Sequence, residues 1–448
     1  MPPAWVLLDR NVDFSFDAED DGSAAVALAM ENAKAAAKGS YLPALMEFTI
    51  ALLGTMKAVP FAPQPPSRAT FRLLGSEPHR KVPFRSDVAC ADKGLLVLYA
   101  GKYRGPGSST HGCYLVHDAA AAGSTSLSTV RPPPLVRYFC SIGNGAVVLR
   151  RHPLSSAYLL AELATTPEHD LPDAVLHLWR SDSPAPQWVK KEIRLPSEVS
   201  LAPGKHDFQL DASFSGPDDS LCWVDLLHGI VICHHPWGPQ DPVFHFIPFP
   251  EGCPSVGTSE RPNRPRMPEI RSAACVGGAI KLVSMVGYLE GWHFHRYRLT
   301  TWTLSPDLRE WRQDGVFPLE DLWMTDEYRA LDLPQRMPIC PVLSPREDAV
   351  VYVVVNDVVH DQLRSGEGYS KVRLTEVDFR GQYVFGLDMH HNKIISTSCH
   401  RPDRMMEIMP RLIAADFCAS LLGATDHKVL TIPNRHARAR CTLLHGCV

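Results

Sequence analysis

Residues 229–233 read GIVIC, a glycine followed by four apolar side chains. The phrase returns as GLLVL at 94–98, GAVVL at 145–149 and GAIKL at 278–282. A version without the glycine, AVVYV, stands at 349–353. Each copy reads as a tight turn, in which glycine takes a positive φ, feeding a buried strand. The copies are 51, 84, 49 and 71 residues apart, so the connections between them vary in length.

A second phrase works outward from these strands. Trp179 and Trp188 flank RSDSPAPQ, and Trp302 and Trp311 flank TLSPDLRE. Each pair is a strand end, a polar Ser/Pro turn and a second strand. An apolar–Pro stop follows each, at Leu195-Pro196 and Phe317-Pro318. Similar stops stand at Val130-Arg-Pro-Pro-Pro and Phe249-Pro250. Proline there ends a ladder without leaving an N–H unmatched. The chain has 39 prolines in 448 residues, well above the usual level of about 5%. Long helices and coiled coils are thereby excluded.

Hairpins repeated at roughly 50–70 residues are the mark of a propeller. Residues 69–395 divide into about 55 residues per blade for six blades, or about 47 for seven. The expected fold is all-β: a single β-propeller of about six (six or seven) blades, with a short N-terminal helix and a short C-terminal tail. Two β-sandwich domains are the alternative. Residues 1–60 would hold an N-terminal strand at 4–8, an acidic loop and an Ala-rich helix at about 23–38, between a Ser23 cap and Gly39. The propeller would occupy 61–400, entered through FAPQPPSR at 61–68. Residues 401–448 form a basic tail, with a short helix expected within 405–423, broken at Pro410, and an exposed end. The strand at 4–8 is expected to pair with C-terminal strands and so close the ring.

Composition excludes several classes. A net charge of −4 gives no electrostatic reason for a nucleic acid or an anionic membrane as partner. MPPAWVLLDR lacks the basic region of a secretory signal, and the acids from Asp9 to Asp21 do not suit a transit peptide. No apolar run reaches the roughly 20 residues that span a bilayer. The 12 cysteines form no CxxC pair and read as reduced thiols. A cytoplasmic or nuclear location is expected.

Five phrases follow one another between about 220 and 345: LCWVDLLHGIVICHH, PVFHFIPFPEG, RSAACVGGAIKLVSM, LTTWTLSPDLREWRQD and LPQRMPICPVLSPREDAVVYVV. In that order they resemble the plant family called domain of unknown function 1618, abundant in grasses. WVLLDR at the start, YLLAEL, and AVLHLWRSDSPAPQW extend the resemblance over most of residues 1–395. The family is similar to the kelch-like β-propellers that follow F-boxes in plant ubiquitin-ligase adaptors. Residues 1–60 lack a leucine-rich F-box-like module, so the adaptor role is not implied. The resemblance implies no reaction and brings no catalytic residue.

The residues themselves offer few candidates. His293 and His295 in GWHFHRY would share one face of a strand and could begin a metal site, which needs a third and fourth ligand. A solvent-facing stripe is the simpler reading. His234-His235 and His390-His391 are adjacent and would point to opposite faces of a strand. No G-x-S-x-G, P-loop, H-E-x-x-H or kinase set is present. Gly105-Pro-Gly107 lacks the lysine and helix of a phosphate loop and reads as surface. The paired tryptophans recur at equivalent positions, which favours a structural role. No catalytic, cofactor-binding or metal residue is assigned, and no metal or cofactor is expected. The expected function is a non-catalytic protein–protein interaction scaffold. Its partner, another protein, would contact the long inserts at about 101–113, 163–175, 202–220, 251–270 and 359–371. The alternative is an enzyme or carbohydrate-binding propeller with a site at the central channel.

Overall fold

The structure is a computed structural model. It describes residues 5–17, 31, 49–61, 65–76, 86–101, 112–119, 127–133, 140–141, 146–150, 152, 155–165, 174–200, 208–238, 241–253, 266–288, 293–362, 374–400, 410–415 and 441–444. Among these residues the fold is almost wholly antiparallel sheet.

Strands follow one another as four-stranded meanders. Sheet 2 is β4 (Ser86–Asp92), β5 (Leu95–Gly101), β6 (Gly112–Asp118) and β7 (Ser128–Val130). Sheet 3 is β9 (Val147–Arg150), β10 (Tyr158–Thr165), β11 (Ala174–Arg180) and β12 (Val189–Ile193), with the two-residue β8 (Cys140–Ser141) beside β10. Sheet 4 is β13 (Ala212–Ser215), β14 (Leu221–Asp225), β15 (Gly229–His234) and β16 (Val243–Pro248). Sheet 5 is β17 (Arg271–Val276), β18 (Ala279–Val286), β19 (Arg298–Leu304) and β20 (Trp311–Pro318). Sheet 6 is β21 (Ile339–Leu343), β22 (Val350–Gln362), β23 (Leu374–Asp388) and β24 (Lys393–His400), with β26 (Cys441–Leu444) added to β23.

Sheet 1 joins the two halves of the chain. Its centre is β1 (Val6–Asp17), which runs parallel to β3 (Arg68–Ser76), itself antiparallel to β2 (Lys57–Phe61). On its other side β1 pairs antiparallel with β25 (Leu412–Ala415), Val6 opposite Ala415 and Asp9 opposite Leu412. The N-terminal strand therefore does pair with a C-terminal one. It is longer than expected: Asp13 and Asp17, read as an acidic loop, lie on β1, because Val12, Phe14 and Phe16 alternate with polar residues along β3.

The glycine phrases explain themselves in these meanders. Lys93-Gly94 and Gly277-Gly278 both have positive φ at both positions, the geometry of two-residue hairpin turns. Gly145 lies outside the described residues. After each turn the second strand is apolar at successive positions, because both of its faces are covered.

Alternate residues of one strand serve different cores. On β14 and β15, Cys222, Val224, Ile230 and Ile232 join sheets 5 and 6 in one core, while Leu221, Trp223, Val231 and Cys233 join sheet 3 in another. Likewise Leu96 and Leu98 pack with sheet 1, and Leu95, Val97 and Tyr99 pack with sheet 3. Val351, Val353 and Val355 face sheet 5, whereas Val350, Tyr352 and Val354 pack on Trp5 and Leu7 of the N-terminal strand. Each sheet thus shares one core with the sheet before it and another with the sheet after it, and the sixth meets the first. Two sandwiches would instead give isolated sheet pairs. This cyclic sharing is propeller-type packing.

Three expectations change. Residues 412–415, read as part of a helix, form β25, because β1 offers a complete ladder to whatever lies beside it. Cys441–Leu444, read as an exposed end, pairs with β23. The insert at 202–220 contains β13, a strand of the ring's interior. The helix expected at 23–38 lies outside the described residues except for Glu31. No helix among the described residues is long and apolar enough to cross a membrane.

Candidate functional site

The first strands of the sheets, β25, β4, β9, β13, β17 and β21, lie against one another around the centre. They run the same way. At one end Cys340 Sγ donates to Pro410 O at 2.7 Å, and Arg10 N donates to Arg411 O at 2.7 Å. Arg10 reaches Val88 and Asp211 at that end too. At the other end Asp92 Oδ2 accepts from Arg150 N at 2.7 Å, and Asp92 Oδ1 accepts from Ser215 Oγ at 2.5 Å. These close the exits of β4, β9 and β13 together.

A cavity of about 100 Å³ opens where the inner strands begin. Its wall is mostly small or apolar: Ala89 and Ala91 of β4, Ala212 and Phe214 of β13, Ala273 and Ala274 of β17, Val342 and Leu343 of β21, and Ile413 and Ala414 of β25. Ser213 and Ser272 add hydroxyls, and Asp211 one carboxylate. Arg10, Arg271 and Arg411 also line it.

These charged groups have distinct duties. Arg10 donates from Nε to Val88 O at 3.0 Å, from one terminal nitrogen to Asp211 O at 2.7 Å and from the other to Ala89 O at 3.0 Å. Burial pulls its pKa below the ordinary arginine value, and neighbouring Arg411 acts the same way. Arg271 is held away from the centre by Leu226 O at 2.7 Å and Ser284 Oγ at 3.1 Å, over the ring of Phe249. Arg411 bonds Asn11 Oδ1 at 3.0 Å and also Asp87. Asp211 accepts from Leu226 N at 2.8 Å, fixing the bend into β14.

Three carboxyls among the described residues are pushed upward by burial, Asp9 against the pull of Arg68, Asp92 against that of Lys93, and half-buried Glu269 against that of Arg266. The first two are committed to structural bonds. Asp9 pairs with Arg68 at 2.8 Å in sheet 1, and Asp92 ties three inner strands.

The residues singled out in the sequence are dispersed. His293 and His295 do not lie on a strand: Phe294–Arg296 is a single 3₁₀ turn. Their rings stack at 5.0 Å, and His295 meets Trp323 edge-on at 6.5 Å. Among the described residues no three His, Cys, Asp or Glu side chains are grouped to hold a metal. His235 has φ +58, leaves the strand at His234, and returns its ring to within 6.3 Å of His234. His391 Nδ1 and Asp388 Oδ2 lie 2.8 Å apart within the β23–β24 turn. Gly105 to Gly107 lie outside the described residues. Burial pushes the thiols of Cys90, Cys113 and Cys233 up to about 12, which leaves them without thiolate character. The residue that sequence reading passed over is Arg10, which meets β4 and β13 only once the ring is closed.

Cyclically shared cores and a common centre place the protein in the all-β, propeller-type class. Residues 223–352 match the family described as protein of unknown function (DUF1618), a stretch that runs from β14 into β22. No curated protein matches the chain. Among solved structures it is similar to the β-fructofuranosidase BmSUC1 of glycoside hydrolase family 32 from Bombyx mori, at 12% identity and TM-score 0.27, over 69% of this chain and 61% of that one. The dihydro-heme d1 dehydrogenase NirN aligns at 10% identity and TM-score 0.28, over 72% of this chain and 66% of its own. A sialidase from Trypanosoma rangeli aligns at 12% identity and TM-score 0.29, over 76% and 51%. The chain spans about three fifths of the length of the first of these enzymes.

Proposed function

We propose that the protein is a non-catalytic scaffold that binds another protein through one end of its ring of sheets. The supporting observation is strand polarity. Inner strands begin at the Arg10 end, so second strands finish there, and so do fourth strands. Inserts 101–113, 163–175 and 359–371 connect second to third strands (β5–β6, β10–β11 and β22–β23). Insert 202–220, in the part that precedes β13, and insert 251–270 leave fourth strands, β12 and β16. All five therefore depart from the same end. At the opposite end the connections are short, as at Lys93-Gly94, Gly277-Gly278 and 389–392. Loops gathered on one face of a rigid core are a common basis of recognition.

The same observations weigh against an enzyme at the channel. Its wall is largely alanine, proline and branched apolar residues. The most deeply buried carboxyls with raised pKa values, Asp9 and Asp92, serve as structural anchors. We further infer a reducing location such as cytoplasm or nucleus, which suits the free thiols of Cys90, Cys113, Cys222, Cys233 and Cys340.

The test replaces in turn the part of each insert that lies between strands, leaving β13 and the strand ends intact, with a Gly-Ser linker, purifies the full chain from native tissue and identifies bound proteins by mass spectrometry. Replacing the 305–310 turn at the opposite end is the control. The reading expects at least one insert variant to lose a partner that the control retains, with melting unchanged. Capture that survives every insert replacement would overturn it.

A further inference from the structure

We infer that the cavity beside Arg10 is an oxyanion subsite, taking a carboxylate or phosphate group between Arg10 and Arg411. A guanidinium carries five N–H donors. Three of those on Arg10 go to the main-chain carbonyls of Val88, Ala89 and Asp211, which leaves two. Among the described residues no carboxylate pairs directly with Arg10; Asp87 and Asp211 support its charge from farther off, and Asp211, in the cavity wall, is already held by Leu226 N. Arginine cannot shed its proton to escape this position.

A second cation stands beside it. Arg411 lines the same cavity, its side chain is 44% exposed, and its carboxylate partner is Asp87, itself outside the cavity wall. Two guanidinia at one small cavity repel each other, which is the repulsion already seen in the lowered pKa of Arg10. An anion between them would reverse that term. Arginine forks match carboxylate and phosphate oxygens in pairs. Ser213 and Ser272 place hydroxyls in the same wall. The volume of about 100 Å³ suits one such group with a few waters, each filling about 30 Å³ of liquid. This subsite does not depend on the protein-binding reading above, whose loop test involves no anion.

Isothermal titration calorimetry of the full chain tests it, with inorganic phosphate and with acetate as separate probes, against chloride at constant ionic strength. Saturable one-to-one binding of either probe is expected. Tighter phosphate binding would identify a phosphate-bearing ligand, and tighter acetate binding a carboxylate. Arg411→Gln should weaken the preferred probe at least tenfold while the unliganded protein melts within a few degrees of wild type. Arg10→Lys keeps the charge, loses the fork and should weaken it as well. Arg411 bridges only surface partners, so its variant keeps the test informative if Arg10→Lys does not fold. Absence of saturable binding by both probes up to tens of millimolar overturns the inference. So does phosphate or acetate binding that Arg411→Gln leaves unchanged.

Discussion

The indole Nε1 of Trp188 donates to the carbonyl oxygen of Arg131 at 2.6 Å. Trp311 repeats the arrangement two ring positions further on, donating to Pro248 O at 2.8 Å. In both cases a tryptophan at the entry to a fourth strand reaches the exit of the fourth strand in the preceding sheet. Both acceptors stand at the proline-rich stops, next to Pro132 and Pro250 or part of them. The two bonds fasten the rims of successive sheets, where each indole packs against the edge of a shared core.

Trp188→Phe and Trp311→Phe should each therefore cost about 0.5–1 kcal/mol, the net worth of a partly solvated hydrogen bond. Most of the ring's packing is kept in phenylalanine. The two sites belong to different sheet pairs, so the double variant should lose the sum within about 0.5 kcal/mol. Urea unfolding monitored by circular dichroism measures all three. Single variants as stable as wild type would remove the latch.

Closure of the ring rests on a polar chain as well as on strand pairing. Asp9 of β1 pairs with Arg68 of β3, with side chains almost fully buried. Arg68 continues to Gln382 Oε1 at 3.0 Å, and Gln382 to Asn356 Oδ1 at 2.9 Å, which crosses from sheet 1 to sheet 6. Asp9→Ala leaves a buried guanidinium without its anion and should cost about 3–5 kcal/mol. Adding Arg68→Met should restore most of that loss, since an apolar pair of similar size avoids the desolvation. Chemical denaturation of the two variants decides it, and a double variant no better than the single one would contradict the account. Deleting residues 1–10, which removes Asp9 and the whole of the β1–β25 ladder, should lower the melting temperature sharply.

What the sequence disclosed, and what it hid, follows from range. Lys93-Gly94 and Gly277-Gly278 announce themselves because a two-residue hairpin turn is a local event. The alternation Val12, Phe14, Phe16 was equally local, yet the acids between those residues masked it as a loop. LIAA at 412–415 carries no period of its own. It becomes a strand because β1, some four hundred residues away, presents an open edge. Arg10 has the same character: nothing around it in sequence names Val88, Ala89 and Asp211 as its acceptors. The histidines at 293 and 295 erred the other way. Their spacing suited a strand, but Phe294–Arg296 turns as a 3₁₀ helix at the Arg298 entry to β19.

Two positions in the glycine phrases should respond oppositely to single-methyl changes. A Cβ on Gly229 would stand 2.4 Å from Ile247 O and 2.7 Å from the ring of Phe246, so the partner strand β16 must move. Gly229→Ala should cost about 1–3 kcal/mol through overpacking. Ala349 holds φ +60 without being glycine. Relieving a left-handed alanine gains about 1–2 kcal/mol, and glycine's extra chain entropy takes back about 0.5–1 kcal/mol. Ala349→Gly should therefore be neutral or stabilising by up to about 1.5 kcal/mol. Thermal melts of both variants test the pair, and a strongly destabilised Ala349→Gly would refute the backbone argument.

The histidines of sheet 4 should give stability a pH dependence of known sign. His234, half-buried at the end of β15, has its pKa lowered from 6.5 first by burial and then by the neighbouring rings of His245, at 5.3 Å, and His235. Asp218 opposes this more weakly. A lowered pKa means that the folded chain binds fewer protons than the unfolded one between the two values. Stability then rises with pH across that window. It is fully present above about 6.5 and is lost as pH falls through the folded value. Because the ring is substantially exposed, solvent screening keeps the effect below about 1 kcal/mol. His234→Gln should flatten the difference in stability between mildly acidic and mildly alkaline buffer, and His245→Gln should reduce it. Denaturation midpoints across that pH range provide the measurement. A His234→Gln protein that weakens with acid as steeply as wild type would place the dependence elsewhere.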